Sequence, residues 1–187
     1  QLGYQNLSRL LTIGHQKESK GQCIVSPKDL PHLAQGIICL YGGSTIDLSA
    51  KSVSTLQNIF GALNLFIEIH NHLTPETEKR TQRLIDLAEA CRIPLVATND
   101  VHHATASEKK LHDILFCIRT KQTLSDAGKK LFPNSERRLK PEKEITALFS
   151  NHLSALHNRR LIAQRCQFDF SELGYKFPQY PVPKGQS

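Results

Sequence analysis

The sequence has no methionine and no tryptophan, and none of its five cysteines belongs to a C-x-x-C pair. Because the initiator methionine is missing, we expect a chain that was processed, trimmed or cut from a longer protein. Without C-x-x-C, neither a zinc ribbon nor a thioredoxin-like redox motif is expected. The cysteines in GIICLYGG and DILFCIR have apolar neighbours, which predicts small core residues in a reduced, cytoplasmic protein.

Long apolar runs are missing as well. No segment approaches the ~20 apolar residues that a membrane helix requires. The opening QLGYQNLSRLL lacks the charged start and apolar block of a signal peptide, so we expect no membrane partner. The sequence also contains no P-loop, no G-x-S-x-G and no G-x-G-x-x-G motif.

The 187 residues carry a net charge of +7, and the charge is uneven. Six Lys or Arg residues and two Glu residues lie between Lys129 and Lys143. Such a patch can neutralise DNA phosphates. The simpler interpretation is a solvated basic loop.

Strand and helix patterns alternate in the middle of the chain. The segments GIICLYGG (36–43), LFIEIH (65–70) and PLVATND (94–100) are short apolar runs typical of buried strands. Helical spacing follows the first run up to about Phe60, and TPETEKRTQRLIDLAEACR (74–92) separates the second run from the third. This alternation predicts parallel βαβ units, whose strands are buried on both faces.

Helix signals accompany these strands. Thr74 is a predicted N-cap with Pro75 in the first turn. Thr105 and Glu108 have the spacing of a capping box. The helix that follows them has an apolar stripe at positions i, i+3, i+4 and i+7, formed by Leu111, Ile114, Leu115 and Ile118.

The ends of the chain differ from its middle. GYQNLSRLLTIGH predicts an opening helix, and residues 121–140 predict a long basic connection. PEKEITALF and SALHNRRLIAQRC predict two further helices, and the ending ELGYKFPQYPVPKGQS predicts an extended, proline-rich segment. We therefore divide the chain into an α/β part (1–120), a basic and helical part (121–170) and a linker (171–187).

Candidate metal ligands follow the third predicted strand. Functional groups in parallel α/β folds lie beyond the carboxyl ends of the strands. Residues i and i+2 of an extended segment point to the same side, so Asp100 and His102 can face one pocket. The alternative is that the strand merely turns into a polar loop, since D-x-H is a common pattern.

A second and less specific group follows the middle strand. His70 and His72 share one side, and Glu68 lies one step deeper. Carboxylates and imidazoles suit zinc, manganese or iron, which can activate water for phosphoester hydrolysis. His103 is predicted to be exposed, and His112 is predicted to be a surface or packing residue.

The motifs GYQNLSRLLT, GIICLYGG, IPLVATNDVHH, LHDILFCIRTKQTL and RRLKPEKEITALF occur in the order in which they occur in bacterial C-family DNA polymerases. This chain resembles the N-terminal region of those enzymes over essentially all 187 residues. AGKKLFPNSERRLKP and ELGYKFPQYPVPKG resemble the error-prone branch more closely than the replicative one.

That region of the family is the PHP domain, a distorted (β/α) barrel with helices around parallel strands. Complete members bind about three metal ions through nine ligands and hydrolyse phosphoesters, whereas others have lost ligands and serve as scaffolds. The family's last motif, D-x-H, corresponds to Asp100 and His102. The family often has Cys or His where Gly43 stands. Its first H-x-H, the D-H pair and the next acidic ligand have no counterpart and would lie before Gln1.

The resemblance therefore implies part of a PHP barrel with a degenerate site for Zn, Mn or Fe. The parent would be an error-prone DNA polymerase that copies damaged DNA, with Mg²⁺ in another domain, and no D-x-D occurs in this chain. The expected partners are the rest of the polymerase chain and, through it, DNA. A stand-alone metal-dependent phosphoesterase and a non-catalytic interaction module are the alternatives.

Overall fold

A computed structural model of the chain describes residues 1–42, 48–167, 169 and 171. Its centre is a parallel sheet of three strands in the order β1-β2-β3, formed by two consecutive βαβ units. The strands and helices of these units are β1 Cys39–Tyr41, α2 Ala50–Phe60, β2 Leu65–Ile69, α3 Pro75–Cys91 and β3 Leu95–Ala97. The predicted α/β class and the parallel strands are confirmed.

Each strand is shorter than the apolar run that predicts it. The first run starts in a turn, because Gly36 has φ 78° and the N–H of Ile37 donates to the carbonyl of Ala34 at 3.0 Å. At the other edge of the sheet, the N–H of Thr98 still donates to the carbonyl of Ile69 at 3.1 Å. Asp100 then has φ 43° and leaves the extended conformation.

The helix between β2 and β3 begins as the sequence predicts. The Thr74 hydroxyl accepts a hydrogen bond from the N–H of Thr77 at 3.2 Å, and the Thr77 hydroxyl lies 3.3 Å from the N–H of Thr74. This reciprocal cap satisfies N–H groups that have no partner within the helix. Pro75 occupies the first turn, and Arg92 ends α3 in the left-handed conformation.

The hydrophobic core surrounds the middle strand. Leu65, Ile67 and Ile69 of β2 are fully buried, since helices and neighbouring strands cover them on every side. Helices α6 (Glu142–Leu148) and α7 (Leu153–Arg165) add Ile145 and Leu156 to the same core. The prediction of burial on both faces therefore holds for β2, whereas β1 exposes Leu40 at the edge of the sheet.

The remaining helices are α1 Leu2–Gln16, α4 Lys109–Thr120 and α5 Leu124–Ala127, with 3₁₀ turns at Ala106–Glu108, Gly128–Lys130 and Ser150–His152. The capping box of Thr105 and Glu108 is present and starts the turn that leads into α4. Helix α4 has the predicted stripe, but Leu111, Ile114, Leu115 and Ile118 are 46 to 68% exposed.

Several sequence predictions concern the ends and small features of the chain. All five cysteines are free. Of the two that the sequence predicts as core residues, Cys117 is buried and Cys39 is half-buried against the core, whereas Cys23 and Cys166 are exposed. No helix among the described residues is both long and apolar enough to span a membrane. Gly43 and the proline-rich ending, residues 172–187, lie outside the described residues.

We predict that Ile67→Ala destabilises the protein by about 2–5 kcal/mol, because it leaves a cavity at the fully buried centre of β2. Urea unfolding followed by circular dichroism measures the loss. Leu63→Ala, at a side chain that is 81% exposed, is the control and should change the free energy of unfolding by less than about 0.5 kcal/mol. Equal effects of the two substitutions would contradict the assignment of the core.

Candidate functional site

Polar side chains line the carboxyl ends of β2 and β3. The Thr98 hydroxyl donates to Glu68 Oε1 at 2.7 Å, and His70 Nε2 lies 3.5 Å from the same oxygen. Burial raises the pKa of Glu68, but the interactions with His70 and Thr98 outweigh it and leave that pKa below its ordinary value. Glu68 and His70 are therefore brought together, as the sequence predicts.

His72 is buried at the same end of β2, with only 3% of its surface exposed. Its Nε2 lies 3.0 Å from the carbonyl oxygen of Asn99, so this nitrogen carries the proton and donates it. Burial lowers the pKa of His72 to about 4, and the nearby charge of Arg137 acts in the same direction. His72 is consequently a neutral, fixed imidazole at neutral pH.

Asp100 and His102 are neighbours, but strand alternation does not bring them together. Asp100 has a left-handed backbone, and its Oδ1 lies 3.3 Å from Nε2 of His102. Its Oδ2 forms an ion pair with Nη1 of Arg137. The predicted contact therefore exists, in a loop that follows β3 rather than within an extended strand.

The two residues face different cavities. A cavity of about 40 Å³ is lined by His70, His72, Asp100 and Arg137, together with Thr77, Arg80, Thr81 and Leu84. His102 instead lines a second cavity of about 130 Å³. The structure thus groups Asp100 with the histidines that follow β2, whereas the sequence predicted one pocket for Asp100 and His102.

The donor set at this end of the sheet does not match a tight metal site. Such a site needs about three to four protein ligands around one ion, and the described part of the chain has no group of three or more His, Cys, Asp or Glu residues arranged in this way. Moreover, the guanidinium of Arg137 already pairs with the carboxylate of Asp100. As metal ligands, Asp100 and His102 remain a prediction.

Asn99 is the residue of this site that the sequence did not indicate. Its side-chain amide donates to the carbonyl oxygens of Glu136 at 2.9 Å and Arg138 at 2.6 Å. Its Oδ1 accepts from Nζ of Lys140 at 2.9 Å. The sequence feature that could have indicated this role is an amide side chain directly before Asp100, at the end of a predicted strand.

Lys140 is the buried partner of this network. Its side chain is fully buried, and its Nζ lies 3.1 Å from Oε2 of Glu136. A buried ammonium group requires a paired charge and hydrogen bonds, and Glu136 and Asn99 supply both. The sequence showed Lys140 only as part of a basic surplus, so burial was not predictable from charge.

The prediction that His103 is exposed is wrong. His103 is buried, with its Nδ1 2.8 Å from the carbonyl oxygen of Thr105. Its backbone forms an isolated parallel bridge with Arg138, and the N–H of Leu139 donates to its carbonyl at 3.1 Å. The returning segment, residues 136–140, packs against His103. Its burial could not be predicted from the residues next to it in the sequence.

The ring of Phe132 contacts several of the remaining side chains. Its ring centre lies 5.0 Å from that of His102 and 5.2 Å from that of His112, which is stacked on it. The guanidinium carbon of Arg137 lies 4.2 Å from the same ring centre, a cation–π distance. His112 is therefore a packing residue, in agreement with the sequence prediction.

We predict that protonation of His72 makes stability depend on pH. Because its pKa is about 4 in the folded protein and about 6.5 when unfolded, the unfolded chain binds more protons between these values. The free energy of unfolding should therefore fall as the pH decreases from 6.5 to 4.5, by roughly 1–2 kcal/mol. His72→Gln keeps an N–H donor but cannot titrate, so it should lose that part of the slope.

Urea unfolding at several pH values measures this difference. His157→Gln, which removes an exposed histidine on α7, is the control and should retain the pH dependence of the unsubstituted protein. Parallel curves for the unsubstituted protein and His72→Gln would contradict the buried, neutral state of His72.

No protein-family model matches this chain. It is 32% identical over 191 residues to an error-prone DNA polymerase of Pseudomonas syringae pv. syringae, across 100% of this chain and 18% of the relative. It is 30% identical to one from Rhodopseudomonas palustris, across 98% of this chain and 17% of the relative. Identity is 32% with one from Pseudomonas aeruginosa, with the same two shares. Along nearly its whole length, the chain is therefore similar to a segment that makes up less than a fifth of these error-prone DNA polymerases.

Proposed function

We propose that this chain is a segment of an error-prone DNA polymerase of the bacterial C family and forms part of its PHP domain. The observation that supports the proposal is similarity over 98 to 100% of the chain to proteins with that name. The parallel βαβ units, with polar residues at the carboxyl ends of β2 and β3, agree with part of a (β/α) barrel.

The parent polymerase would extend a primer opposite damaged template bases. That chemistry uses Mg²⁺ ions held by a carboxylate pair, and the sequence of this chain contains no D-x-D. Primer extension would therefore belong to the more than four fifths of the relatives' length that this chain does not cover. The partners of the segment would be the rest of that chain and the DNA that the polymerase holds.

For the segment itself we propose a degenerate metal site that has become structural. Arg137 supplies a positive charge next to Asp100, in place of a metal cation. His72 is held by the carbonyl of Asn99, and His70 lies against Glu68. Asp100, His72 and His70 therefore each contact another group of the protein, and little or no phosphoesterase activity is expected.

The polymerase assignment predicts a large parent protein in the source cells. An antibody raised against this chain should detect a polypeptide between five and six times its 21.0 kDa, since the chain corresponds to 18% of the relative. The immunoprecipitate should extend a primer on a template with a lesion, because the remainder of the polymerase is covalently attached. A 21-kDa species without primer extension would overturn the assignment and favour the interaction module.

The degenerate site predicts less than one Zn²⁺ or Mn²⁺ per purified protein and no hydrolysis of bis-p-nitrophenyl phosphate. Removing the positive charge with Arg137→Ala should raise Zn²⁺ affinity about tenfold, since close charge pairs contribute on the order of 1–4 kcal/mol. Isothermal titration calorimetry measures the affinity.

Arg138→Ala is the matched control, because it removes the same charge from an ion pair with Glu144. It should leave Zn²⁺ affinity unchanged. Stoichiometric metal in the unsubstituted protein, lost in both Asp100→Ala and His102→Ala, would instead support the metal-dependent phosphoesterase.

A further inference from the structure

Another cavity, of about 300 Å³, lies between α2 and the segment that precedes β1. Pro27 and Leu30 of that segment and Leu56 and Ile59 of the helix give it a mainly aliphatic wall. The lining also includes Lys51, Ser52 and Thr55 of α2. The volume is at the lower end of the ~300–1,000 Å³ range of ligand pockets, which suits one or two large side chains.

Helix α7 ends beside α2. Nη1 of Arg165, the last residue of α7, donates to the carbonyl of Leu63 at 2.8 Å, and its Nη2 donates to the side-chain oxygen of Asn64. Nδ2 of Asn64 in turn donates to the carbonyl of Phe60, the last residue of α2, at 2.9 Å. The chain after α7 therefore starts near the C-terminal end of α2, where Phe60 follows the Ile59 that lines the cavity.

The segment that follows α7 is long enough to return to the cavity. Consecutive Cα atoms are 3.8 Å apart, so Ile59 lies within ~15 Å of Leu63. The lining positions of α2 run from residue 51 to residue 59, which is ~12 Å of helix. Residues 166–177 can span ~40 Å when extended, which exceeds the sum of those two distances.

The sequence of this segment is suited to an aliphatic wall. Residues 177–183, which lie outside the described part of the chain, read FPQYPVP and carry no charge. Proline-rich segments favour the polyproline II helix, which has three residues per turn. Phe177, Tyr180 and Pro183 would recur on one side of such a helix at intervals of ~9 Å, and this spacing fits within the length of the cavity wall.

A segment of the same chain is favoured over other occupants. Proline-rich ligands usually dock in aromatic-lined grooves, whereas here the aromatic rings belong to the segment and the wall is aliphatic. Each buried ring removes ~150–250 Å² of surface from water, and the prolines reduce the conformational entropy that docking costs. Because the segment is covalently attached, its effective concentration is on the order of millimolar, which favours it over a second copy of the chain.

We propose that the cavity beside α2 is the docking site of residues 177–183 of the same chain, with Phe177 and Tyr180 as the side chains that fill it. The segment then runs back along α2 instead of leaving the molecule as a free linker. This proposal goes beyond the function proposed above and does not depend on the polymerase assignment.

The test uses methyl NMR of the purified 187-residue chain with carbon-13 in the δ1 methyl groups of isoleucine. Ile59→Val identifies the Ile59 resonance, and nuclear Overhauser effects to the rings of Phe177 and Tyr180 are expected from it. In Phe177→Ala/Tyr180→Ala these effects disappear, and the Ile59 resonance moves by more than its linewidth because the ring currents are lost.

Tyr175→Ala is the matched control, because it removes an aromatic ring of the same segment that lies off the three-residue repeat. It should leave the Ile59 resonance in place, and the exposed Ile118 of α4 should not shift in any variant. An unchanged Ile59 resonance in the double variant, or an equal shift in Tyr175→Ala, would overturn the proposal. Ring contacts that vanish on dilution, together with a dimer in sedimentation, would assign the cavity to the segment of a second copy and overturn it as well.

Discussion

Asn99 holds together, through its side chain and its backbone carbonyl, the three parts of the chain that form the candidate site. It donates to two carbonyl oxygens of the returning segment, at Glu136 and Arg138, and accepts from the buried ammonium group of Lys140. Its own carbonyl accepts from His72 at the end of β2. One residue therefore fixes the loop after β3, the loop after β2 and the segment before α6. Asn99, His72 and Lys140 are buried, and their polar groups would be costly to leave without a partner.

This constraint explains why a cation of the protein lies at the site. The segment Glu136–Arg138 must run beside the loop after β3 to satisfy Asn99, and Arg137, which lies between its two bonded residues, is thereby placed against Asp100 and the ring of Phe132. The same path buries Lys140, whose charge helps to keep His72 neutral. Part of the basic connection (residues 121–140) thus has a structural role, whereas Lys129 and Lys130 are exposed.

The sequence correctly predicted those features of the fold that depend on residues close together in the chain. The cap at Thr74, the parallel order of the strands and the contact between Asp100 and His102 are consequences of residue type and short spacing. The roles of Arg137 and Lys140 were not predictable, because they arise from contacts about forty residues apart in the chain. His103 was misjudged for the same reason, since the residue that covers it belongs to the returning segment.

Position 100 must satisfy two requirements, a left-handed backbone conformation and a negative charge that faces Arg137. Glycine, asparagine and aspartate all tolerate that conformation, so the loop would accept any of the three. Only aspartate also supplies the negative charge that faces Arg137. A lineage in which this carboxylate had lost its use could drift to asparagine or glycine without disturbing the backbone, whereas a lineage that still needs the ion pair could not. The choice among three residues that tolerate the same backbone conformation therefore depends on whether the charge is required.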